Sequence, residues 1–277
     1  RHIATANSEK LVMPTHNRTA LITGASAGIG ACFARYLAAN GHNLLLVARR
    51  EDRLRELAAE LTAAHGVRCD IFAADLTDVN APKAIMAYAL RKEIEIDVLI
   101  NNAGLSGKTA FADTPWPALA GELQLMIVAV TELAHLVLPS MKANGFGRII
   151  NLSSLAALSP PSAGLLYTAI KGYVLSMSQS LDMELKPQGI NVTALCPGFT
   201  YSEFHDVMGT RETINKLPAL FWQQPDAVVQ QAWAAVNSGS PVCVPGAVNK
   251  LIASTVRPLP VRLQYYLGKN LNPFKSE

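Results

Sequence analysis

Short apolar runs alternate with longer amphipathic stretches from Thr19 to Pro245, and that rhythm leaves few architectures open. Thr19–Thr23, Asn43–Val47, Val67–Ala73, Val98–Ile100, Arg148–Leu152 and Asn191–Leu195 read as strands, with Pro241–Pro245 a short last one. Helical patterns lie between them at Ile29–Asn40 and Glu51–Ala64, and around 80–92, 118–143 and 163–186. Strand and helix repeated in this order predict an α/β fold: one doubly wound parallel sheet of about seven strands with helices on both faces. Parallel strands are buried on both sides and need near-continuous Val, Ile and Leu. A chain that is 50% hydrophobic and 16% charged supplies them. In open sheets of this kind the ligand sits beyond the carboxyl ends of the strands, where the strand order reverses. Functional residues are therefore expected just after Thr23, Val47, Ala73, Ile100, Leu152 and Leu195.

No repeat, low-complexity tract or linker divides residues 18–250, which read as a single domain. Residues 1–17 are polar and mixed in charge, with a methionine only at Met13; they read as a flexible arm or tag remnant rather than a secretory leader. From 251 to 277 the helix–strand rhythm is lost in a basic and aromatic tail. Ala118–Pro139 is apolar but interrupted by Glu122, Gln124, Glu132 and His135, the pattern of a buried helix rather than a membrane span. A net charge of +3 without a dense basic run gives no basis for nucleic-acid binding. Cys32, Cys69, Cys196 and Cys243 are far apart, lack metal-ligand spacing and have apolar neighbours. They read as buried free thiols in a reducing, cytoplasmic setting, with no metal site.

Thr23-Gly-Ala-Ser-Ala-Gly-Ile-Gly30 bridges the first strand and the first helix. Gly24, Gly28 and Gly30 allow a sharp turn, close approach of backbone to a phosphate, and tight helix–strand packing. Free amides at the helix start then face the pyrophosphate of a dinucleotide. At the end of the second strand an acid would bond the adenine ribose 2′-hydroxyl and repel a 2′-phosphate. Here Val47-Ala48-Arg49-Arg50 stands instead, with no acid before Glu51. Guanidinium groups grip phosphate through charge-assisted bonds, so the expected cofactor is NADP(H), with Arg49 the leading contact and Ser26 or Arg50 assisting.

The T-G-x-x-x-G-x-G spacing resembles that of the short-chain dehydrogenase/reductase (SDR) family, and further motifs follow in its order. Asn101-Asn-Ala-Gly104 follows the fourth strand, Asp75-Leu76 the third and Pro197-Gly198 the sixth, while Tyr167-x-x-x-Lys171 comes with Ser154 thirteen residues earlier. The resemblance spans about residues 18–205 and implies a Rossmann-type fold. It also implies an oxidoreductase passing hydride between nicotinamide and a carbonyl or alcohol substrate. By the same resemblance the cofactor would be bound by Gly24, Ser26, Gly28, Ile29, Gly30, Arg49, Arg50, Asp75, Leu76, Asn102, Ala103, Gly104, Tyr167, Lys171, Pro197, Gly198, Thr200 and Ser202. Asp75-Leu76 would meet adenine and Pro197-Gly198 would border the nicotinamide.

Tyr167 and Lys171 are four apart in a helical pattern and share one face. A phenol titrates near ~10, too high for easy proton exchange at neutral pH, and a nearby ammonium lowers that value. Tyr167 is the expected acid/base, with Lys171 lowering its pKa and, by the resemblance, binding the ribose. Ser154 would polarise the carbonyl. One position departs from the family. An asparagine is usual about 28 residues before the catalytic serine, and here Leu125-Met126-Ile127 stands there. A thioether accepts weakly and donates nothing, so a water relay to the lysine is in question. Another group could serve the relay, turnover could be slow, or the site could have been altered. The alternative function is an NADP(H)-binding sensor of low activity.

Residues 199–224 are expected to form a substrate lid, with Phe199, Phe204, Val207, Met208, Leu217, Leu220, Phe221 and Trp222 as an apolar wall suited to a hydrophobic carbonyl compound. His205 within it reads as a plain polar contact. The tail carries Arg257, Arg262, Lys269 and Lys275 with Tyr265, Tyr266 and Phe274. It is expected to dock on the domain or on a neighbouring subunit in preference to resting on a membrane surface. The resemblance implies a homodimer or homotetramer joined through the helix bearing Tyr167 and Lys171, whose small apolar residues over Ala163–Met183 suit such packing.

Overall fold

The computed structural model describes residues 17–105, 111–160, 166–201 and 218–270. Seven parallel strands form the central sheet: β1 (Thr19–Thr23), β2 (Asn43–Ala48), β3 (Cys69–Ala73), β4 (Val98–Asn101), β5 (Gly147–Leu152), β6 (Ile190–Leu195) and the late β9 (Val242–Cys243). Their order is β3-β2-β1-β4-β5-β6-β9, a Rossmann-like sheet. A second, two-stranded sheet pairs β7 (Phe199–Thr200) with β8 (Trp222–Gln223).

The period of two along each strand explains the two-sided core. Ala20, Ile22, Leu44, Leu46 and Ile100 face one side, against Phe33, Leu37, Leu54 and Val228. Those residues belong to α1 (Gly28–Ala39), α2 (Glu51–His65) and α7 (Pro225–Asn237). Leu21, Leu45, Leu99, Ile149 and Val192 face the other side, against Ile85, Leu133 and Ile170. These lie on α3 (Ala81–Arg91), α5 (Ala129–Asn144) and α6 (Tyr167–Leu185). Truncating any one of the fully buried leucines to alanine costs about 2–5 kcal/mol.

Most expected elements stand within a residue or two of their sequence bounds, and the differences have local causes. The third strand starts at Cys69 instead of Val67, because pairing with β2 begins at Leu44 opposite Cys69. The long helix expected around 118–143 is divided: α4 (Trp116–Leu123) passes into a π-helical segment at Gln124–Val128 and continues as α5. It lays Leu125, Met126, Ala129, Leu133 and Val137 into the core, as the expected buried helix does. The tail, read as losing its rhythm near 250, is helical in α8 (Ala247–Val256) and α9 (Val261–Asn270), separated by Pro258 and Pro260. Cys196 and Cys243 are buried as expected, while Cys32 and Cys69 are only half-buried; all four thiols are free.

The sheet order reverses beside β1, which has β2 on one side and β4 on the other. The carboxyl ends of β1 and β4 therefore border one crevice, the ligand position of an open parallel sheet.

Candidate active site

Thr23 closes β1 and organises the floor of that crevice. It is buried, and its hydroxyl donates to the Ile100 carbonyl at 3.4 Å while accepting from the Asn102 and Ala103 amides at 3.0 and 3.1 Å. The Asn102 side chain returns the tie, donating to the Thr23 and Gly24 carbonyls at 3.0 and 3.2 Å. The N-N-A-G turn is thus pinned to the glycine loop. Gly24 and Gly28 adopt φ of +66° and +54°, conformations that favour glycine. Gly30 is excluded from carrying a side chain for another reason: a Cβ there would lie 2.3 Å from the Gly24 carbonyl oxygen. Helix α1 begins at this loop with no side-chain cap and no acid in its first turn. Its unpaired amides and positive dipole end fit an anion such as a pyrophosphate.

At the end of β2 the two arginines part company. Arg50 reaches back over the loop, its guanidinium donating to the Ser26 hydroxyl at 3.2 Å. Arg49 is largely exposed and lies 3.9 Å from the Asp75 carboxylate. The Asp75 carboxylate also accepts from the Thr77 amide and hydroxyl at 3.0 and 2.9 Å, which fixes the turn after β3, and Leu76 is buried behind it. A cavity of about 610 Å³ beside this turn is lined by residues that include Thr77, Val79, Leu105, Pro117, Glu122 and Gln124. Burial raises the Glu122 carboxyl above its ordinary pKa.

Ser154, Tyr167 and Lys171 come together as the spacing predicts. Ser154 follows β5, and its hydroxyl accepts from the Ala156 amide at 3.1 Å while bonding the Tyr167 phenol. Lys171, one turn further along α6, is buried and donates to the Leu152 carbonyl at 2.7 Å. Its ammonium nitrogen lies 5.5 Å from the centre of the Tyr167 ring. Ser153 ties the helix to the sheet by donating to the Lys171 carbonyl at 2.8 Å. The turn after β6 completes the group, with the Leu155 amide donating to the Pro197 carbonyl at 2.9 Å. Thr200 is buried and donates to the Gly198 carbonyl at 3.2 Å.

The electrostatics depart from expectation. Burial pushes the Tyr167 phenol up to about 12; the bond from Ser154 pulls it back in part, and Cys196 adds to the rise. Burial brings Lys171 down to about 8. Lys171 is not among the influences that set the Tyr167 phenol, and its amine donates to the Leu152 carbonyl.

Met126 lies in the π-helical segment, 1% exposed, and its sulfur is 3.6 Å from where a Cβ on Gly104 would stand; the Lys171 amine is 3.9 Å from the same point. The position that departs from the family pattern and the lysine amine therefore both lie around Gly104. Ser202, Phe204, His205, Val207, Met208 and Leu217 lie outside the described residues. Of the described aromatics in the segment expected to form a lid, Trp222 stacks on Tyr201 at 4.7 Å and meets Phe199 at 5.9 Å.

Asn249 on α8 was not legible in the sequence. It is 4% exposed, donates to the Gln223 side chain and the Pro245 carbonyl at 2.9 and 3.0 Å, and packs on Gly198 so closely that a Cβ there would come within 2.6 Å. A lone asparagine at the end of the expected domain carries no signal of such a role. Cys196, beside Tyr167 and Lys171, was read only as a core thiol.

The family model for short chain dehydrogenases matches residues 18–212. The chain belongs to the short-chain dehydrogenase/reductase family. Among its relatives is the ketoacyl reductase HetN of Nostoc sp., 32% identical over 221 residues, or 80% of this chain and 76% of that one. Among solved structures, the short-chain dehydrogenase from Sphingobium yanoikuyae in complex with NADPH superposes with a TM-score of 0.77 at 32% identity, covering 94% of this chain and 98% of that one. The bulky-bulky ketone specific alcohol dehydrogenase from Comamonas testosteroni gives 0.73 at 31% identity, covering 95% and 98%. This SDR chain is accordingly an oxidoreductase with the family's fold.

Proposed function

We propose that this SDR protein is an NADP(H)-dependent reductase of hydrophobic ketones, running the reverse alcohol oxidation when product accumulates. The observation that carries the reading is the convergence of Ser154, Tyr167 and Lys171 at the carboxyl end of the sheet, beside a glycine loop with a free helix start. The NADPH complex of the Sphingobium relative and the ketone specificity of the Comamonas relative support it. Bound NADPH supplies the hydride. Gly24, Ser26, Gly28, Ile29 and Gly30 would hold its pyrophosphate, Arg49 and Arg50 its 2′-phosphate, and Asp75 and Leu76 its adenine. Asn102, Ala103, Gly104, Pro197, Gly198, Thr200 and Ser202 would line the path to the nicotinamide, and Lys171 its ribose.

Within the chain, Ser154 donates to the substrate oxygen and concentrates positive potential there. Tyr167 gives its proton to the same oxygen. Burial keeps the phenol protonated at neutral pH, so the proton that reduction needs is in place, while a pKa of about 12 makes it a reluctant donor. Lys171, with a pKa brought toward 8, would return a proton to the phenolate once its amine leaves the Leu152 carbonyl. The half-buried Phe199 and Trp222 give the substrate side an apolar wall. Association of two or four copies through α6 belongs to the same reading. The low-activity sensor reading rests on Met126 alone, and the intact serine, tyrosine and lysine outweigh it.

The test is NADPH consumption with a panel of bulky aldehydes, ketones and diketones. Wild type consumes it, and Tyr167→Phe loses about 10²–10⁴-fold in kcat/KM while still binding NADPH. Equal rates for the two proteins would refute the assignment.

A further inference from the structure

The carboxyl-terminal fifth of the chain has an unusual charge pattern. Between Ala227 and Ser276 there is no Asp or Glu, while Lys250, Arg257, Arg262, Lys269 and Lys275 supply only positive charge. Within it, α8 is fixed on one side and bare on the other. Its Asn249 is clamped beneath Gly198, and the helix packs against both Leu155–Leu158, which follows Ser154, and the lid segment Ala219–Phe221. Its outer side exposes Leu251 at 64%. Next, α9 exposes Val261, Leu263, Tyr265 and Tyr266 at 80, 42, 66 and 62%. Three- and four-residue spacing sets Arg262, Tyr265, Tyr266 and Lys269 on one stripe of α9. Leu220 of the neighbouring lid segment is 70% exposed as well.

We infer that α8 and α9 form a docking surface for an anionic lipid bilayer, seating the mouth of the active site against the membrane. Aliphatic side chains, tyrosines and cations without intervening acids are what an interfacial helix presents to headgroups and the upper acyl region. Long basic side chains cover apolar surface while their charges reach the phosphates. Charge decides the occupant: a second copy docked two-fold on this face would bring cations against a face with no acids to pair them, whereas an anionic bilayer complements them. Since α8 touches both the segment after Ser154 and the lid, a docked chain would draw a lipophilic ketone from the bilayer. That last step rests on the reductase reading; the docking does not.

The full chain is sedimented with vesicles of phosphatidylcholine alone and with vesicles containing phosphatidylglycerol, at about 0.1 M salt. The chain should sediment with the anionic vesicles and stay in solution with the neutral ones, and about 1 M salt should release it. Arg262→Glu/Lys269→Glu should lose about tenfold or more in binding, and so should Tyr265→Ser/Tyr266→Ser. Both variants should keep a melting temperature within a few degrees of wild type and wild-type NADPH oxidation with a water-soluble ketone, since these side chains are exposed. No sedimentation, equal binding to neutral vesicles, or retained binding by both variants would overturn the proposal, as would tail-dependent dimerisation in sedimentation velocity. Vesicle binding without NADPH oxidation would count against the reductase reading alone.

Discussion

Replacing Gly30 by alanine tests the glycine loop more sharply than any change to a charged residue. A Cβ at this position would stand 2.3 Å from the Gly24 carbonyl oxygen, 2.9 Å from its carbonyl carbon and 2.5 Å from the Asn102 side-chain nitrogen. A carbon–oxygen contact relaxes only near ~3.5 Å, so loop and helix must separate by roughly 1 Å. The obstacle is backbone, held by the Asn102 bonds to the Thr23 and Gly24 carbonyls and by the Ala25 amide on the Val47 carbonyl. Overpacking costs about 1–3 kcal/mol, and a weakened hydrogen bond about 0.5–1.5 kcal/mol. Together they give about 2–4 kcal/mol, a fall in Tm of roughly 4–12 °C for a domain of this size. The same displacement withdraws the α1 amides from a bound pyrophosphate, so the Kd for NADPH should rise at least about tenfold. Gly172→Ala is the control. Nothing lies within 4 Å of a Cβ there, in the middle of α6. Alanine should stabilise it by about 0.5–1 kcal/mol and raise Tm by about 1–3 °C. Thermal melts and NADPH titration of both variants decide the matter. A Gly30→Ala protein with unchanged Tm and unchanged Kd would refute the reasoning.

Arg49→Ala should weaken NADPH about 10–100-fold by losing a charge-assisted contact of about 1.5–3 kcal/mol, with NADH little affected; equal losses for both cofactors in fluorescence titration would remove Arg49 from the 2′-phosphate. Lys171 is brought from 10.5 to about 8 by burial, so between these values the unfolded chain binds more protons than the folded one and stability rises with pH. Tyr167, raised from 10 to about 12, acts oppositely: above pH 10 the unfolded chain loses its proton first and stability falls. Urea unfolding of wild type against Lys171→Met between pH 7.5 and about 9.5 should show the lysine-dependent rise, and parallel curves would dismiss it. Met126→Asn should lower Tm by several degrees, because a buried amide without partners costs about 1–3 kcal/mol, yet leave kcat within about threefold. A rise in kcat above about tenfold would show that the missing amide limits turnover.

The sheet was legible because its strands are buried on both faces: the apolar runs at Leu44–Val47 and Ile149–Ile150 have no other stable placement. The placement of Ser154, Tyr167 and Lys171 was legible for a related reason. Helical spacing puts Tyr167 and Lys171 on one face, and sheet order brings the end of β5 beside them. The electrostatics of the same residues were not legible. Opposite-charge reasoning predicts a lowered phenol, but whether Lys171 acts on Tyr167 depends on where its amine turns and how dry the pocket is. Burial dominates both values.

The π-helical segment shows the deeper limit. From Ala118 to Pro139 the apolar pattern is that of an ordinary helix, and Gln124–Val128 carries no Gly or Pro to mark a break. Polar contacts from the helix itself and from elsewhere in the fold border the wider turn. The Thr131 hydroxyl donates to the Ile127 carbonyl at 2.7 Å and bonds the Tyr173 hydroxyl on α6 at 2.9 Å. From β4, the Asn101 amide donates to the Val130 carbonyl at 3.2 Å and to Asn151 on β5 at 2.9 Å. The Thr131–Ile127 bond is local to the helix, but the Thr131–Tyr173 and Asn101 contacts join single polar residues that meet only after the sheet and α6 have formed. The expanded turn follows from tertiary structure, and it sets Met126 beside Gly104 next to the lysine. The departure from the family's asparagine therefore cannot be judged as an isolated substitution: residue 126 and the turn that carries it act together on the surroundings of Lys171.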